Sequence, residues 1–547
     1  MGETYQTDVI VIGSGLAGLV AASQAAARGR KVLVLDQEGA QSIGGQAFWS
    51  LGGLFMVDTP EQRRMKIRDS RDLAEQDWYG SARFDRPEDA NPEAFAQAYL
   101  DFAAGEMRPW LYSLGMRWFP VVGWAERGGG QADGHGNSVP RFHLTWGTGP
   151  GVVAPFENAC LAAQSRGQIT FGFRHRVSGI DLKAKTLNGE ILEPTDAPRG
   201  VSTSRKVVGD FTARAESIVI TSGGIGGDHD AVRRYWPQDR LGPPPQKMVA
   251  GVPDYVDGQM QRLAEEAGAG LINGDRMWHY CEGVQNWDPI WPNHGIRILP
   301  GPSSMWFDAL GQRMEAPFLP GFDTLGTLKR ILSTGHEHSW FILTQKIIEK
   351  EFALSGSEQN PDFTSGRWRE VLKSRLGKGA TAPVEAFKEH GADFVVRDSL
   401  EDLIDGMNAL TPDVPLDGRK IRRQIEARDR EIANKFSKDA QITAIHGARG
   451  YLGDKLIRTA KPHRILDPEA GPLIAVRLNV LTRKSLGGLH TNLKSQVLDG
   501  QGQVIDGIYA AGEVCGFGGG GYHGYNALEG TFLGGCIFSG KLAGENA

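Results

Sequence analysis

Apolar residues along this chain recur as short unbroken runs that stop at glycine. Val9-Ile10-Val11-Ile12 and Val32-Leu33-Val34-Leu35 have the length and composition of strands buried on both faces of a parallel sheet. Between them an alanine-rich stretch, from about Leu16 to Arg28, predicts a helix. The same strand-then-glycine unit returns in SIVITSGGIGG (217–227) and in IYAAGEVCGFGGGG (508–521). Three such units, near positions 12, 221 and 511, predict one compact unit assembled from distant segments, with the long middle section inserted. The expected fold class is therefore α/β. A discontinuous Rossmann-like domain (1–275 and 472–547) carries an inserted α+β capping domain (276–471).

Within the middle section, 255–271 predicts an amphipathic helix with Met260, Leu263 and Ala267 on one face. Residues 277–295 are rich in aromatics and interrupted by Pro289 and Pro292, so they read as cap core or as a wall against a small molecule. The charged stretch 418–436 predicts a helix whose outer face is either solvated through i,i+4 pairs or offered to a partner.

With 547 residues the chain is too long for one ordinary core. The net charge of −5 is spread along it, which leaves no electrostatic footprint for nucleic acid or an anionic membrane. Cys160, Cys281, Cys515 and Cys536 stand far apart without a C-x-x-C pair. That excludes a cysteine zinc site or attached c-type haem and fits a reducing compartment. No run approaches the roughly 18 apolar residues of a membrane span, and the polar opening MGETYQT resembles no secretory signal. A cytoplasmic protein is expected.

The glycines carry the first chemistry. Gly13, Gly15 and Gly18 follow the first strand in G-x-G-x-x-G spacing, and Asp36 ends the second strand. Gly13 permits a tight turn, Gly15 lets a pyrophosphate approach the backbone, and Gly18 lets the helix close on the strand. The helix N-terminus then faces phosphate charge, and Asp36 is placed to hold a ribose hydroxyl. This pattern does not separate FAD from NAD. GGQAFWSLGG (44–53) adds a second glycine loop, which a plain NAD domain has no need of and along which the ribityl tail of a flavin would lie.

Together, GSGLAG (13–18), GGQAFWSLGG (44–53), ITSGGIGG (220–227), LGGLHTN (486–492) and GIYAAGEVCGFGGGGYHGYNALEGTF (507–532) resemble a known family. It comprises the flavoproteins related to the fumarate reductase and succinate dehydrogenase flavin subunits, 3-ketosteroid delta-1-dehydrogenases included. The resemblance implies bound FAD. Gly13, Gly15, Leu16, Ala17 and Gly18 would lie at the pyrophosphate, and Asp36 and Gln37 at the adenosine. Gly44, Gly45, Gln46, Ser50, Gly52 and Gly53 would line the flavin path. Ser222, Gly223, Gly224 and Gly512 would complete it, and Glu513 would hold the ribityl chain. Ala527 and Leu528 would offer backbone N–H groups to the flavin pyrimidine, with a helix beginning near Leu528. Some relatives tether FAD through a histidine in the second glycine loop; GQAFWS has none, so non-covalent FAD is expected.

The expected activity is transfer of hydride to or from flavin across a CH–CH bond next to a carbonyl in an apolar or steroid-like small molecule. Tyr525, Tyr522 and His523 are the candidate catalytic residues, Tyr525 first, because they stand in the glycine run beside the expected flavin; His523 could instead merely fix that loop. The other two tyrosines of the steroid enzymes should fall in 118–130 and 316–324, where there are none. Fumarate reductases carry an arginine where this chain has Ala527. Where they place a substrate-binding histidine it has Arg483 and Lys484, which either hold an acid or end a strand as surface charges. A fumarate-reductase-like reductase of an unsaturated acid is the runner-up, and an FAD-binding redox sensor without turnover is the alternative of another class. His336 and His338 alternate along a predicted strand and read as polar packing or as substrate contacts; with no carboxylate cluster beside them, no metal is expected. Arg141 and His143 alternate likewise, as a structural salt bridge or facing the ligand. The electron acceptor and oligomeric state are left open.

Overall fold

The computed structural model describes residues 2–128, 136–375, 377 and 379–547; residues 129–130 of the segment 118–130 lie outside these. The first strand, Glu3–Ile12, pairs in parallel with Val32–Asp36 on one side (Val9↔Val32) and with Val207–Ile220 on the other (Val9↔Ser217). Ile169–Phe173 extends the sheet beyond Val32–Asp36. Val504–Ala510 joins in parallel beyond Val207–Ile220 (Ile508↔Ile218). The three strand ends near 12, 221 and 511 therefore lie side by side and deliver their glycine loops to one end of the sheet. The apolar runs are continuous because both faces are covered. Val9, Val11, Val32 and Val34 enter one core with the helices, while Ile10, Ile12, Leu33 and Leu35 enter another.

The helix Leu16–Ala27 follows the first strand, and the chain's last helix, Thr531–Asn546, packs along it. Glycine makes that approach possible. A Cβ at Gly540 would lie 2.6 Å from the Ala17 carbonyl oxygen, and one at Gly544 would lie 2.2 Å from that of Ala21.

A second, mostly antiparallel sheet is organised around Leu473–Ser485. This strand lies between His338–Thr344 and Met277–Gln285, with Met305–Asp308 and Gly295–Leu299 beyond them. The division at 471/472 falls at its start, so a strand expected on the C-terminal side of the insertion is, by hydrogen bonding, the spine of the capping sheet. Val249–Ala250, from before residue 276, pairs with the same strand. The strand's far end, Arg483 to Ser485, runs toward the first sheet's glycine loops.

The helix expected over 255–271 is shorter, Gln259–Glu266, because Gly258 and Gly268 bound it with positive φ. Met260 and Ala264 are buried, and Ala267 is exposed. The charged stretch forms Gly418–Ile432; it buries Ile421 and Ile425 and turns Arg422 outward to Glu401 and Glu426, a solvated face. Among the described residues no helix is long and apolar enough to cross a membrane, and the four cysteines are free.

Candidate active site

The glycine loops open onto a cleft of about 1800 Å³, part of it continuous with solvent and lined from both sheets. At one end stands Asp36. The Ser14 N–H and hydroxyl donate to its Oδ2 at 2.8 and 2.6 Å, and the Glu38 N–H donates to Oδ1 at 2.8 Å. The carboxylate is thus held at the strand tip, facing the cleft beside Gln37. Gly13, Gly15, Leu16 and Ala17 line the adjoining floor. Gly15 has no atom within 4 Å of a would-be Cβ, so its backbone is open to a ligand. Gly18 lies behind the floor. Its Cβ would fall 2.0 Å from the Gly13 carbonyl oxygen, which is why the helix can sit so close to the strand. The second glycine loop lies against the first, with the Gly44 N–H donating to the Ser14 carbonyl at 2.9 Å.

Gly45, Gln46, Ser50, Gly52 and Gly53 continue the lining, joined by Ser222, Gly223, Gly512 and Glu513. Glu513 accepts from Gln46 Nε2 at 3.0 Å and from the Ser485 N–H at 2.9 Å. Burial raises its pKa against those donors. Gly224 is behind this carboxyl rather than on the cleft; a Cβ there would meet Glu513 Oε1 at 2.1 Å. The last helix begins at Thr531, not near Leu528. Gly530 caps it, and Phe532, Leu533 and Cys536 line the cleft from its first turns. Ala527 and Leu528 line a small neighbouring hollow with Trp278 and Glu126. The Thr531 N–H donates back to the Leu528 carbonyl, closing a turn that brings Glu529 and Gly530 to the cleft instead.

The capping sheet contributes a wall of charge. Arg297, in the apolar strand Gly295–Leu299, is almost wholly buried. Its Nη1 donates to Glu529 Oε1 at 2.8 Å, its Nη2 lies 3.5 Å from Glu126, and its Nε lies 3.6 Å from Glu282. Glu529 Oε1 also accepts from the Tyr280 hydroxyl at 3.1 Å and from Trp278 Nε1 at 3.3 Å. One guanidinium cannot neutralise three carboxylates. Burial pushes Glu126 well up and Glu282 up. It pushes on Glu529 too, but Arg297 and Lys484 outweigh it and hold Glu529 below the ordinary value.

Lys484 and Arg483 face the same cleft rather than ending the strand at the surface. The Lys484 ammonium sits 4.3 Å from the centre of the Phe532 ring and 6.0 Å from that of Tyr280. Among the described residues it has no carboxylate partner in contact. Burial and the adjacent Arg483 bring its pKa down to about 7, against the pull of Glu529 and Glu513.

Tyr522, His523 and Tyr525 are not on this cleft. Tyr522 is fully buried against Trp78 and Tyr99, and its hydroxyl donates to the Thr531 carbonyl at 2.7 Å. His523 bonds Thr531 Oγ1 at 2.8 Å and lies parallel to Trp78, so it fixes the loop. The Tyr525 hydroxyl donates to Asp85 at 2.9 Å, and its ring is surrounded by the guanidinium groups of Arg86, Arg240 and Arg276. The expectation that these three reach the substrate is corrected by that placement. The two tyrosine hydroxyls are spent on the loop and on an arginine cage outside the cleft, and His523 uses Nε2 on the loop while its Nδ1 is buried without a partner.

His336 and His338 stand at the outer start of His338–Thr344 and do not line the cleft; burial drops His338 to about 4. The described residues contain no metal-holding group of histidine, cysteine and carboxylate side chains. Arg141 is the structural alternative, buried with Asp69 at 2.7 Å and Asp77 at 2.5 Å. His143 bonds Thr59 Oγ1 and the Arg141 carbonyl. Sequence reading missed Tyr280, Arg297, Glu126, Glu282 and Glu529. Two left a signal. Glu529 is the one charged residue in GGGGYHGYNALEGTF, and Arg297 is the one charged residue in GIRIL.

Comparison with known proteins bears on the chain's family. The model of the FAD binding domain family matches residues 8–533. A KsdD-like steroid dehydrogenase of Mycobacterium tuberculosis (strain CDC 1551 / Oshkosh) is 57% identical over 548 residues, covering 100% of this chain and 96% of its own length. Another, from Mycolicibacterium smegmatis (strain ATCC 700084 / mc(2)155), is 59% identical over 96% of each chain. The structure of 3-ketosteroid delta1-dehydrogenase from Sterolibacterium denitrificans, in complex with 1,4-androstadiene-3,17-dione, superposes with a TM-score of 0.66 over 98% of both chains. At 16% identity that likeness is one of fold.

Proposed function

The chain belongs to the FAD binding domain family, and on that premise we propose that it is an FAD-dependent oxidoreductase acting on a CH–CH bond next to a carbonyl in a steroid-like small molecule. The residues present suit the cofactor. Asp36 Oδ1 has a lone pair to spare for a ribose, Gly15 exposes bare backbone at a helix N-terminus, and Glu513 is a fixed acceptor midway along the cleft. The first turn of the last helix offers its positive end where the flavin ring would lie. Attachment is non-covalent on this reading, since GQAFWS contains no histidine. Acid precipitation should leave intact FAD in the supernatant, whereas yellow colour retained in the pellet would contradict it.

FAD, when bound, supplies the two-electron acceptor for cleavage of a C–H bond. The chain's part is to move the accompanying proton. The observation that carries the assignment is Lys484, an amine on the cleft, contacted by aromatic rings and held near neutral pKa. As the neutral amine it accepts the proton from the carbon next to the substrate carbonyl; as the ammonium it returns one in the opposite direction. Glu529 and Glu513 stabilise the charged form, and Arg483 opposes it. Tyr280, Arg297 and Glu529 form a fixed wall, because each is tied to another by a hydrogen bond or ring contact. Burial raises Tyr280 well above its ordinary value, so it is a donor and not a base.

The names of the KsdD-like steroid dehydrogenases support a steroid as substrate, and the carbonyl makes a ketosteroid the probe. Anaerobic addition of 3-ketosteroids to the yellow protein should bleach the visible flavin bands. No bleaching by any ketosteroid, together with no reoxidation of photoreduced protein by an unsaturated ketone, would overturn the assignment; reoxidation by an unsaturated acid would then point to the reductase, and none by either to an FAD-binding protein without turnover.

A further inference from the structure

Three arginines line the cleft, Arg176, Arg297 and Arg483. Arg176 is paired with Glu190, and Arg297 with Glu529. The guanidinium of Arg483 has no hydrogen bond or ion pair with any described residue. Its backbone is nonetheless firmly set. The Arg483 N–H donates to His279 Nδ1 at 2.9 Å, and its carbonyl oxygen lies 2.6 Å from where a Cβ on Gly226 would be. The stem has room because residue 251 is glycine; a Cβ there would meet Arg483 Cδ at 3.1 Å.

The next residue, Lys484, is an amine on the same cleft, also without a carboxylate partner in contact, and is charged only part of the time at neutral pH. Glu358, an acid whose pKa Arg483 pulls down, makes no ion pair or hydrogen bond with its guanidinium and is only partly ionised at neutral pH. Burial pushes it up to about 7, and its Oε2 is buried without a partner. A guanidinium that stays charged in a partly desolvated cleft without a hydrogen-bonded carboxylate is unfavourable unless an anion joins it.

The cofactor diphosphate is not the obvious anion. The glycine end of the cleft meets it with the bare backbone of Gly15 and Gly45 and a helix N-terminus. Arg483 instead belongs to the capping sheet, on the same strand as Leu481 and Lys484. Resting on the steroid reading above, we propose that the substrate is a ketosteroid bearing a carboxylate and that Arg483 holds that group. A guanidinium suits the task, since it can offer two parallel N–H donors to one carboxylate.

The test uses the yellow holoprotein, titrated anaerobically and followed by the shift of the flavin bands. The probes are a 3-oxo-4-ene steroid with a side-chain carboxylate and its methyl ester. The acid should bind about 10- to 100-fold tighter than the ester, the span of a charge-assisted contact. In Arg483→Met the ratio should fall to about one with FAD still bound, and Arg483→Lys should restore part of it.

Equal affinities in the unaltered protein would overturn the proposal, as would an acid preference that survives in Arg483→Met. An Arg483→Met protein that purifies without FAD and takes none up would overturn the proposal and reassign the guanidinium to the cofactor. If neither steroid perturbs the flavin, the steroid reading itself falls; if both bind alike, that reading stands and the carboxylate alone is lost.

Discussion

The two walls of the cleft are built by opposite means. The first sheet presents backbone to the cleft, through glycine loops after the strands ending at Ile12 and Ile220 and a helix capped by Gly530. The capping sheet meets it with charge, from Arg297, Lys484 and Arg483, set against Glu126, Glu282 and Glu529. Backbone recognition tolerates only glycine at its tightest points and is indifferent to the reaction performed. Side-chain charge can be exchanged residue by residue without disturbing the strands that carry it. On the proposed function, cofactor binding falls to one wall and chemistry to the other, and each half of that proposal can be broken separately.

The largest effect is expected on the backbone wall. Gly18→Val places a branched side chain where even a Cβ would lie 2.0 Å from the Gly13 carbonyl oxygen. The purified protein should be colourless and take up no added FAD by absorbance. A yellow Gly18→Val protein of normal FAD content would show that the close helix approach is dispensable.

On the charged wall, Lys484→Met should keep FAD and slow its reduction by substrate about 10²- to 10⁴-fold, the usual contribution of a positioned proton-transfer group. Stopped-flow absorbance separates the two properties. Next comes Arg297→Met, which strands three buried carboxyls without their cation. It should cost about 3–5 kcal/mol in a denaturant unfolding curve, because breaking a buried cluster leaves uncompensated charge. A change under about 1 kcal/mol would mean that those carboxyls are already neutral. Smallest is Tyr525→Phe. Its hydroxyl serves Asp85 and Arg86 outside the cleft, so flavin reduction should stay within about twofold and stability within about 1 kcal/mol. A large rate loss there would bring the tyrosine back into the mechanism.

The contrast between walls also explains what could be read from residues alone. Strand, glycine spacing and Asp36 are local, so the order Glu3–Ile12, Leu16–Ala27, Val32–Asp36 was legible. The convergence of three distant units followed from their repeated form. The charged wall has no such local signature. Glu126, Tyr280, Glu282, Arg297, Lys484 and Glu529 come from five separate segments, and only folding brings them together. Tyr522, His523 and Tyr525 misled for the converse reason. They share a glycine-rich run with residues that do line the cleft, but helical capping at Gly530 turns the chain. Tyr522 is thereby sealed against Trp78, while Tyr525 meets the arginine cage. The spine strand Leu473–Ser485 was hidden because its apolar run suits either sheet; its hydrogen-bonding partners decide the matter.

The division of labour rests on Lys484 being the proton carrier, and pH separates that from every alternative. With a pKa of about 7, the amine is mostly protonated and unable to accept a proton below that pH, and neutral above it. The anaerobic rate of flavin reduction by a ketosteroid should therefore rise about tenfold per pH unit below pH 7 and level off above it, while Lys484→Met should be slow and flat across the same range. A Lys484→Met protein that reduces its flavin at the unaltered rate, or that keeps the same pH profile, would contradict the account.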